Sequence, residues 1–168
     1  MLFKTVTRLY DIPAALLLGA SLLGIGVGGP AQAVPHAIQS RSNQPGATII
    51  ITGDPGGGVQ ARYNEIAEIN RLGQRVEIRR GDCVSSCTMF LGADNVCVSP
   101  RAVFAFHGPY RLGKKLSPAE FDHWSNLIAA HFPDALRQWY MNTARHKIYS
   151  VTRLSGAEVI RKGVPRCH

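Results

Sequence analysis

The run ATIIIT at residues 47–52 is rich in β-branched residues and is followed at once by the glycine-rich turn GDPGGG. The next segment repeats apolar residues at helical spacing until Gly73: Val59, Tyr63, Ile66, Ile69 and Leu72. A buried strand, a tight turn and an amphipathic helix are therefore predicted in succession. This succession favours right-handed crossovers, which place consecutive strands parallel in one sheet.

The same alternation continues along the chain. RVEIR alternates as a strand, SSCTMFLGA is predicted to form a short buried helix, and NVCVSP and AVFAF are further strand-like runs. We therefore predict an α/β fold of repeated β-α units. Its one mainly parallel sheet is predicted to contain four strands, at 48–52, 75–79, 95–99 and 103–106.

The C-terminal third is predicted to be helical. Its first helix begins at Ser117 with the capping sequence SPAE and ends at Pro133, and a second helix continues from there to about His146. A short last helix lies between Ser155 as its N-cap and Gly163 as its stop.

The N-terminus has the pattern of a secretory signal peptide. Lys4 and Arg8 precede an apolar run at 14–27, and Ala31 and Ala33 form an A-x-A cleavage step. An uncleaved membrane anchor is the less favoured alternative, because the apolar run ends in glycines and a small-residue site follows it.

These features divide the chain into a signal peptide at 1–33, a flexible linker or arm at 34–46 and one domain at 47–168. The mature protein is predicted to be secreted or periplasmic, with no membrane association after cleavage. The formal net charge of the chain is +8, but its basic residues are spread along the sequence rather than gathered in a stripe. They are therefore interpreted as solvated faces, and no specific nucleic-acid partner is predicted.

Four cysteines follow the signal peptide: Cys83, Cys87, Cys97 and Cys167. Paired thiols persist in oxidising compartments, so two disulfides are expected. Cys83 and Cys87 flank a turn and could bridge, which would leave Cys97 for Cys167, although four cysteines allow three pairings. A zinc site is disfavoured because C-x3-C with scattered histidines is poor ligand spacing, and neither a metal nor a cofactor is predicted.

Two turns carry chemically useful groups. The glycine turn at 56–58 exposes backbone N–H groups at a helix start, although it lacks the P-loop and dinucleotide-binding spacings and could be a plain tight turn. The second turn, GDCVSSC, places Ser85 or Ser86 after a strand, and His107 ends the strand VFAFH. Parallel strands bring such turns to one sheet edge, where a serine, a histidine and backbone donors could meet. The competing interpretations are a helix N-cap and a core histidine.

Taken in order, IIITGDPGGGV, GDCVSSCTMFLGA and SPRAVFAFHGP resemble the ClpP/crotonase superfamily, and in particular Clp protease proteolytic subunits and their small secreted relatives. The similarity extends over about residues 47–163. The resemblance implies that Ser85 is a nucleophile, that His107 is its general base, and that the N–H groups of Gly57 and Ser86 form the oxyanion hole. It also allows a homo-oligomer.

The chain departs from the family pattern at the triad acid. Val151 and Thr152 occupy the matching place, and no carboxylate lies between Asp134 and Glu158. In trypsin-type enzymes, loss of the acid costs about 10⁴ in rate. A Ser-His pair oriented by a backbone carbonyl or by the Thr152 hydroxyl is still compatible with slow turnover.

Two functions therefore remain open. The first is a secreted serine hydrolase or peptidase acting through Ser85 and His107 on a peptide or acyl substrate that the sequence does not identify. The second is a catalytically inactive binding or assembly module on the same scaffold. An acyl-CoA enzyme is disfavoured, because an exported protein would not meet CoA and that chemistry does not need the Ser-His pair.

Overall fold

Two small β-sheets support the glycine turn at 56–58 and the turn that carries Ser85. The computed structural model describes residues 44–168, so the predicted signal peptide and most of the predicted arm lie outside the described residues. The strands are β1 Thr48–Ile51, β2 Arg75–Ile78, β3 Asp82–Val84, β4 Val96–Val98, β5 Val103–Phe106 and β6 Thr152–Ser155. The α-helices are α1 Val59–Arg71, α2 Pro118–Ala129, α3 Asp134–Asn142 and α4 Gly156–Arg161, and 3₁₀ helices span Ser85–Gly92 and Ala144–His146.

The first sheet is entirely parallel and has the order β1-β2-β4. The prediction that ATIIIT and RVEIR share a sheet is confirmed, with Ile49 opposite Val76 and Ile51 opposite Ile78. Helix α1 connects β1 to β2 and buries Ile66 and Ile69, as its apolar periodicity requires. The crossover returns the chain parallel to β1, so both strands end at the same edge of the sheet.

The prediction of a single sheet is wrong, because the strand at 103–106 belongs to a second sheet of order β3-β5-β6. In that sheet β3 pairs parallel with β5, and β5 pairs antiparallel with β6. The physical reason lies at Gly81, where the backbone turns with a φ of +76° between β2 and β3. A Cβ at Gly81 would lie 2.2 Å from the Thr52 carbonyl oxygen, so this close passage needs glycine.

The C-terminal helices cover the second sheet with aromatic side chains. Phe106 contacts Phe132 and Trp139 edge to face, with ring centroids 5.6 and 5.2 Å apart, and Phe132 contacts Tyr140 at 5.3 Å. The three predicted helices are confirmed, and the reciprocal capping boxes form at Ser117 and at the start of α4. Helix α3 is shorter than predicted, because its last turn is replaced by the 3₁₀ helix at 144–146.

One charged cluster lies on the exposed side of the first sheet. Glu77 in β2 accepts hydrogen bonds from the Nε atoms of Arg75, at 2.8 Å, and of Arg79, at 2.7 Å. These bonds, the one from Arg75 first, hold the pKa of the Glu77 carboxyl below its ordinary value of 4.5. The cluster therefore favours the ionised carboxylate in the folded state.

Both predicted disulfides are formed, Cys83–Cys87 and Cys97–Cys167, and the described residues contain no free cysteine. The second bridge joins β4 to the C-terminus across a separation of 70 residues, for which the chain-entropy model gives about 4 kcal/mol of stabilisation. Two disulfides fit a protein of an oxidising compartment. No helix within residues 44–168 has the length and apolar character needed to cross a membrane.

Candidate functional site

The backbone of Ser85 is unusual. Its φ of +57° is the only positive φ at a non-glycine position among the described residues. Ser85 stands where β3 ends and the 3₁₀ helix begins, between the bridged Cys83 and Cys87. A left-handed conformation costs an L-residue about 1–2 kcal/mol, and such strain is concentrated at functional turns.

The helix-capping interpretation of Ser85 does not describe this turn. No side chain caps the N-terminus of the 3₁₀ helix, and the Ser85 carbonyl accepts a hydrogen bond from Thr88 Oγ1 at 2.7 Å. The strained turn resembles the strand-to-helix elbows that lift a nucleophilic hydroxyl away from its own backbone.

The glycine turn packs directly on Ser85. At Gly56 the φ is +87°, and a Cβ there would lie 2.6 Å from the Val84 carbonyl oxygen and 2.7 Å from Ser85 Cβ. The Asp54 N–H donates to the Asp82 carbonyl and the Val84 N–H donates to the Asp54 carbonyl, both at 2.9 Å. The two turns therefore run side by side, and only glycine allows their close approach.

A buried ion pair supports the glycine turn, and the sequence analysis missed it. Asp54 accepts from the Gly56 N–H through Oδ1 at 2.7 Å and from Arg62 Nη2 through Oδ2 at 2.7 Å. The Arg62 guanidinium also lies over the Phe90 ring, 4.1 Å from its centroid. These contacts connect the turn to α1 and to the 3₁₀ helix. A sequence signal existed, because Arg62 stands at helical spacing with the buried Ile66 and so needs a buried acid.

All four predicted site residues line one cavity of about 490 Å³: Ser85, His107, Gly57 and Ser86. Within the described residues, the Gly57 N–H has no hydrogen-bond acceptor. Ser86 is the second residue of its helix, where an N–H has no acceptor inside the helix. Two backbone donors without an acceptor thus belong to residues that line the same cavity as Ser85.

The imidazole of His107 is oriented by a backbone carbonyl. Its Nδ1 lies 2.7 Å from the Gly108 carbonyl oxygen, and because a carbonyl can only accept, Nδ1 carries the proton. The Nε2 atom then has a free lone pair, as a general base requires. No hydrogen bond joins the Ser85 hydroxyl to His107 in the described part of the chain, and catalytic contacts are often long in unliganded sites.

The loop after His107 is held by hydrogen bonds to the C-terminal part of the chain. The Gly108 N–H donates to the Lys147 carbonyl at 2.9 Å, and a Cβ at Gly108 would lie 1.9 Å from the Arg145 carbonyl oxygen. The Tyr140 hydroxyl donates to the His107 carbonyl at 3.3 Å. Burial raises the pKa of Tyr140, so this hydroxyl stays protonated and remains a donor.

The position expected for a triad acid lines the same cavity as His107. Strands β5 and β6 end at the pair Phe106–Thr152, so His107 and Val151 are the next residues along two neighbouring strands. Val151 lines the same cavity, and among residues 44–168 no aspartate or glutamate does so. The partner that orients the imidazole is thus the Gly108 carbonyl rather than the Thr152 hydroxyl.

Within residues 44–168, no group of three or more histidine, cysteine, aspartate or glutamate side chains could hold a metal ion. The sequence matches no protein-family model and no curated protein.

Proposed function

We propose that this chain is an exported serine hydrolase or peptidase with a ClpP/crotonase-type fold. The observation that carries the proposal is the strained left-handed backbone of Ser85, packed against Gly56 at the wall that His107 also lines. Parallel pairing on both sides of the two turns supports the fold. Two disulfides support a secreted or periplasmic location.

In the proposed reaction, Ser85 Oγ attacks the substrate carbonyl carbon while its proton passes to His107 Nε2. The carbonyl oxygen becomes an oxyanion that accepts hydrogen bonds from the N–H groups of Gly57 and Ser86. When the tetrahedral intermediate collapses, the bond to the leaving group breaks and that group takes the proton from Nε2. Water then hydrolyses the acyl-serine by the same proton transfers, which restores the Ser85 hydroxyl.

Turnover should be slow without an acid. The Gly108 carbonyl fixes the tautomer of His107, but it carries no full charge and stabilises the imidazolium less than a carboxylate would. The oxyanion donors and substrate binding are unaffected by this loss. In a serine protease these alone leave about 10³–10⁴ of rate enhancement over water.

The alternative function is a binding module on the same scaffold without turnover. It is favoured by the wall that lacks carboxylates and by the absence, among the described residues, of a hydrogen bond between Ser85 and His107. The two functions differ in the reactivity of Ser85.

The test is labelling of the purified mature protein with a fluorophosphonate probe, followed by mass spectrometry of the modified peptide. We expect one adduct on Ser85, none on Ser85→Ala, and unchanged labelling of Ser99→Ala, a partly exposed serine at a different cavity. Thermal unfolding of each variant confirms that it is folded. Failure of the folded wild type to react over hours, at millimolar probe, would exclude the hydrolase and leave the binding module.

A further inference from the structure

A second, larger cavity of about 1250 Å³ adjoins the one that holds Ser85. The two cavities share five wall residues: His107, Pro109, Tyr110, Leu112 and Val151. They therefore form one groove, which extends from the serine past the histidine. A groove of this size exceeds the pocket that a single small molecule fills, and suits an extended chain.

Exposed apolar side chains are concentrated along this groove. Of the large hydrophobic residues that are exposed within residues 44–168, four line it: Tyr110, Leu112, Tyr149 and Val151. Leu112 is 85 % exposed and Tyr149 is 97 % exposed. Single exposed apolar residues are ordinary, but a group of them on one concave surface marks a binding site.

The charge of the groove has one sign. Arg111, Lys114 and Lys115 line its larger cavity, and no aspartate or glutamate of the described residues lines either part. A tight turn at Gly113, with a φ of +71°, holds two of these cations together, because the Lys114 N–H donates to the Arg111 carbonyl at 3.3 Å. The nearest carboxylate partner is Glu120, whose Oε1 lies 3.6 Å from Arg111 Nη1.

Lys115 has no ion pair among the described residues, and one glutamate does not balance the three cations. Burial of apolar surface would supply affinity for a partner, and the unbalanced positive charge would favour a partner with negative charge. Apolar and cationic groups on one wall are complementary to a chain that is apolar and anionic.

We propose that the groove binds acidic peptide segments that carry apolar side chains. This inference rests on the proposed function for what then happens at Ser85. The apolar side chains of the peptide pack on Tyr110, Leu112 and Val151, and its carboxylates lie at Lys114 and Lys115. The peptide bond nearest the shared wall is thereby presented to Ser85.

The test measures binding without turnover, using fluorescence anisotropy on the Ser85→Ala variant. Three fluorescein-labelled peptides of equal length share leucine and phenylalanine residues and differ only in carrying glutamate, glutamine or lysine between them. We expect the acidic peptide to bind about tenfold or more tightly than the neutral one at low salt, and this preference to shrink at high salt.

Charge reversal locates the site. Lys114→Glu with Lys115→Glu should abolish the preference for the acidic peptide, whereas Arg80→Glu with Arg101→Glu changes the net charge equally at a different cavity and should keep it. Leu112→Ser should weaken all three peptides together. Equal binding of the three peptides, or equal loss in the two charge-reversed variants, would overturn the inference.

The two proposals fail in different ways. Acidic-peptide binding without fluorophosphonate labelling of the wild type would remove the hydrolase and leave the groove as a binding site. Labelling of Ser85 together with no charge preference would remove the groove assignment and leave the hydrolase.

Discussion

Replacement of Val151 by aspartate should quicken the reaction of Ser85. Val151 and His107 directly follow the last residue pair of β6 and β5, Thr152 and Phe106, and line the same cavity. Directly opposed residues on paired strands have Cβ atoms about 4.5–5.5 Å apart, and we expect a similar separation one residue beyond the last pair. An aspartate at 151 would then bring its carboxylate beside the imidazole. The negative charge stabilises the imidazolium that forms when Ser85 loses its proton.

The expected gain follows from this separation. Two unit charges about 5 Å apart interact by roughly 3 kcal/mol at an effective dielectric constant of 20, and by roughly 1 kcal/mol in bulk water. Val151 is 39 % exposed, which places the pair between these limits. Because about 1.4 kcal/mol is tenfold in rate, labelling should quicken by about 5- to 150-fold. This is less than the roughly 10⁴ that a buried, hydrogen-bonded triad acid contributes.

The assay is the second-order rate constant for fluorophosphonate labelling at pH 7.5. Val151→Asn is the matched control, because it has the same shape as the aspartate and no charge, and it should react within about threefold of the wild type. Equal rates for the aspartate and asparagine variants would refute the reasoning, since His107 would then develop no positive charge in the step that limits labelling.

Three further predictions, each on a different residue of the supporting structure, are tested by urea unfolding. Gly56→Ala should lose about 2–5 kcal/mol of stability, from its positive φ and the backbone contact, while Gly58→Ala, which has no contact closer than 3.9 Å, should lose less than about 1 kcal/mol. Ser85→Gly should be about 0.5–1 kcal/mol more stable than Ser85→Ala, and equal stability would show that the turn is unstrained. The pKa of Glu77 is lowered by folding, so its stabilisation is present above about pH 4.5 and is lost as the pH falls through the folded-state pKa. Glu77→Gln should accordingly be less stable at pH 7 and should show a flatter decline below pH 4.5.

The first sheet could be predicted because its strands have a simple pattern. Strands β1 and β2 are bounded by glycines and separated by a helix of regular apolar spacing. The hydrophobic periodicity and the positions of the glycines therefore predict the same elements. The start of α2 could be predicted for the same reason, since Ser117 and Glu120 satisfy each other's backbone groups.

The second sheet could not be predicted from such patterns. Strand β3 has three residues, one of them Asp82, and β6 contains Thr152 and Arg153, so neither gives a hydrophobic signal. Their pairing depends on contacts between distant segments, with β6 about fifty residues after β5. Local propensity carries no information on such a pairing.

The candidate site also has parts that the sequence predicts and parts that it does not. Ser85 and His107 could be placed together, because the parallel strands β3 and β5 before them end at one edge. The glycine turn follows β1 of the other sheet and is brought to them by the pairing of Asp54 with Cys83, which the order of strands does not predict. That the Gly108 carbonyl is the partner of His107 could not be predicted from the sequence. It depends on how Tyr140 and Lys147 hold the loop after His107. The Asp54–Arg62 ion pair could not be predicted without knowing that Arg62 is the polar residue of α1 that is buried.

The missing carboxylate connects the two proposals and makes them separable. Val151 lies on the wall shared by both cavities, so an aspartate there adds negative charge to the groove as well as to the environment of His107. Fluorophosphonate carries no acidic side chain, and its reaction with Ser85 should quicken. For the acidic peptide, an aspartate at 151 replaces an apolar contact with a charge of the same sign as its own. Its binding to the Ser85→Ala, Val151→Asp variant should therefore weaken by about tenfold, whereas Val151→Asn in the same background should change it little. Opposite movements of the two measurements are expected only if one residue borders both the reacting histidine and the peptide. If peptide binding is unchanged, the groove does not extend along the wall beside His107, and the peptide lies elsewhere.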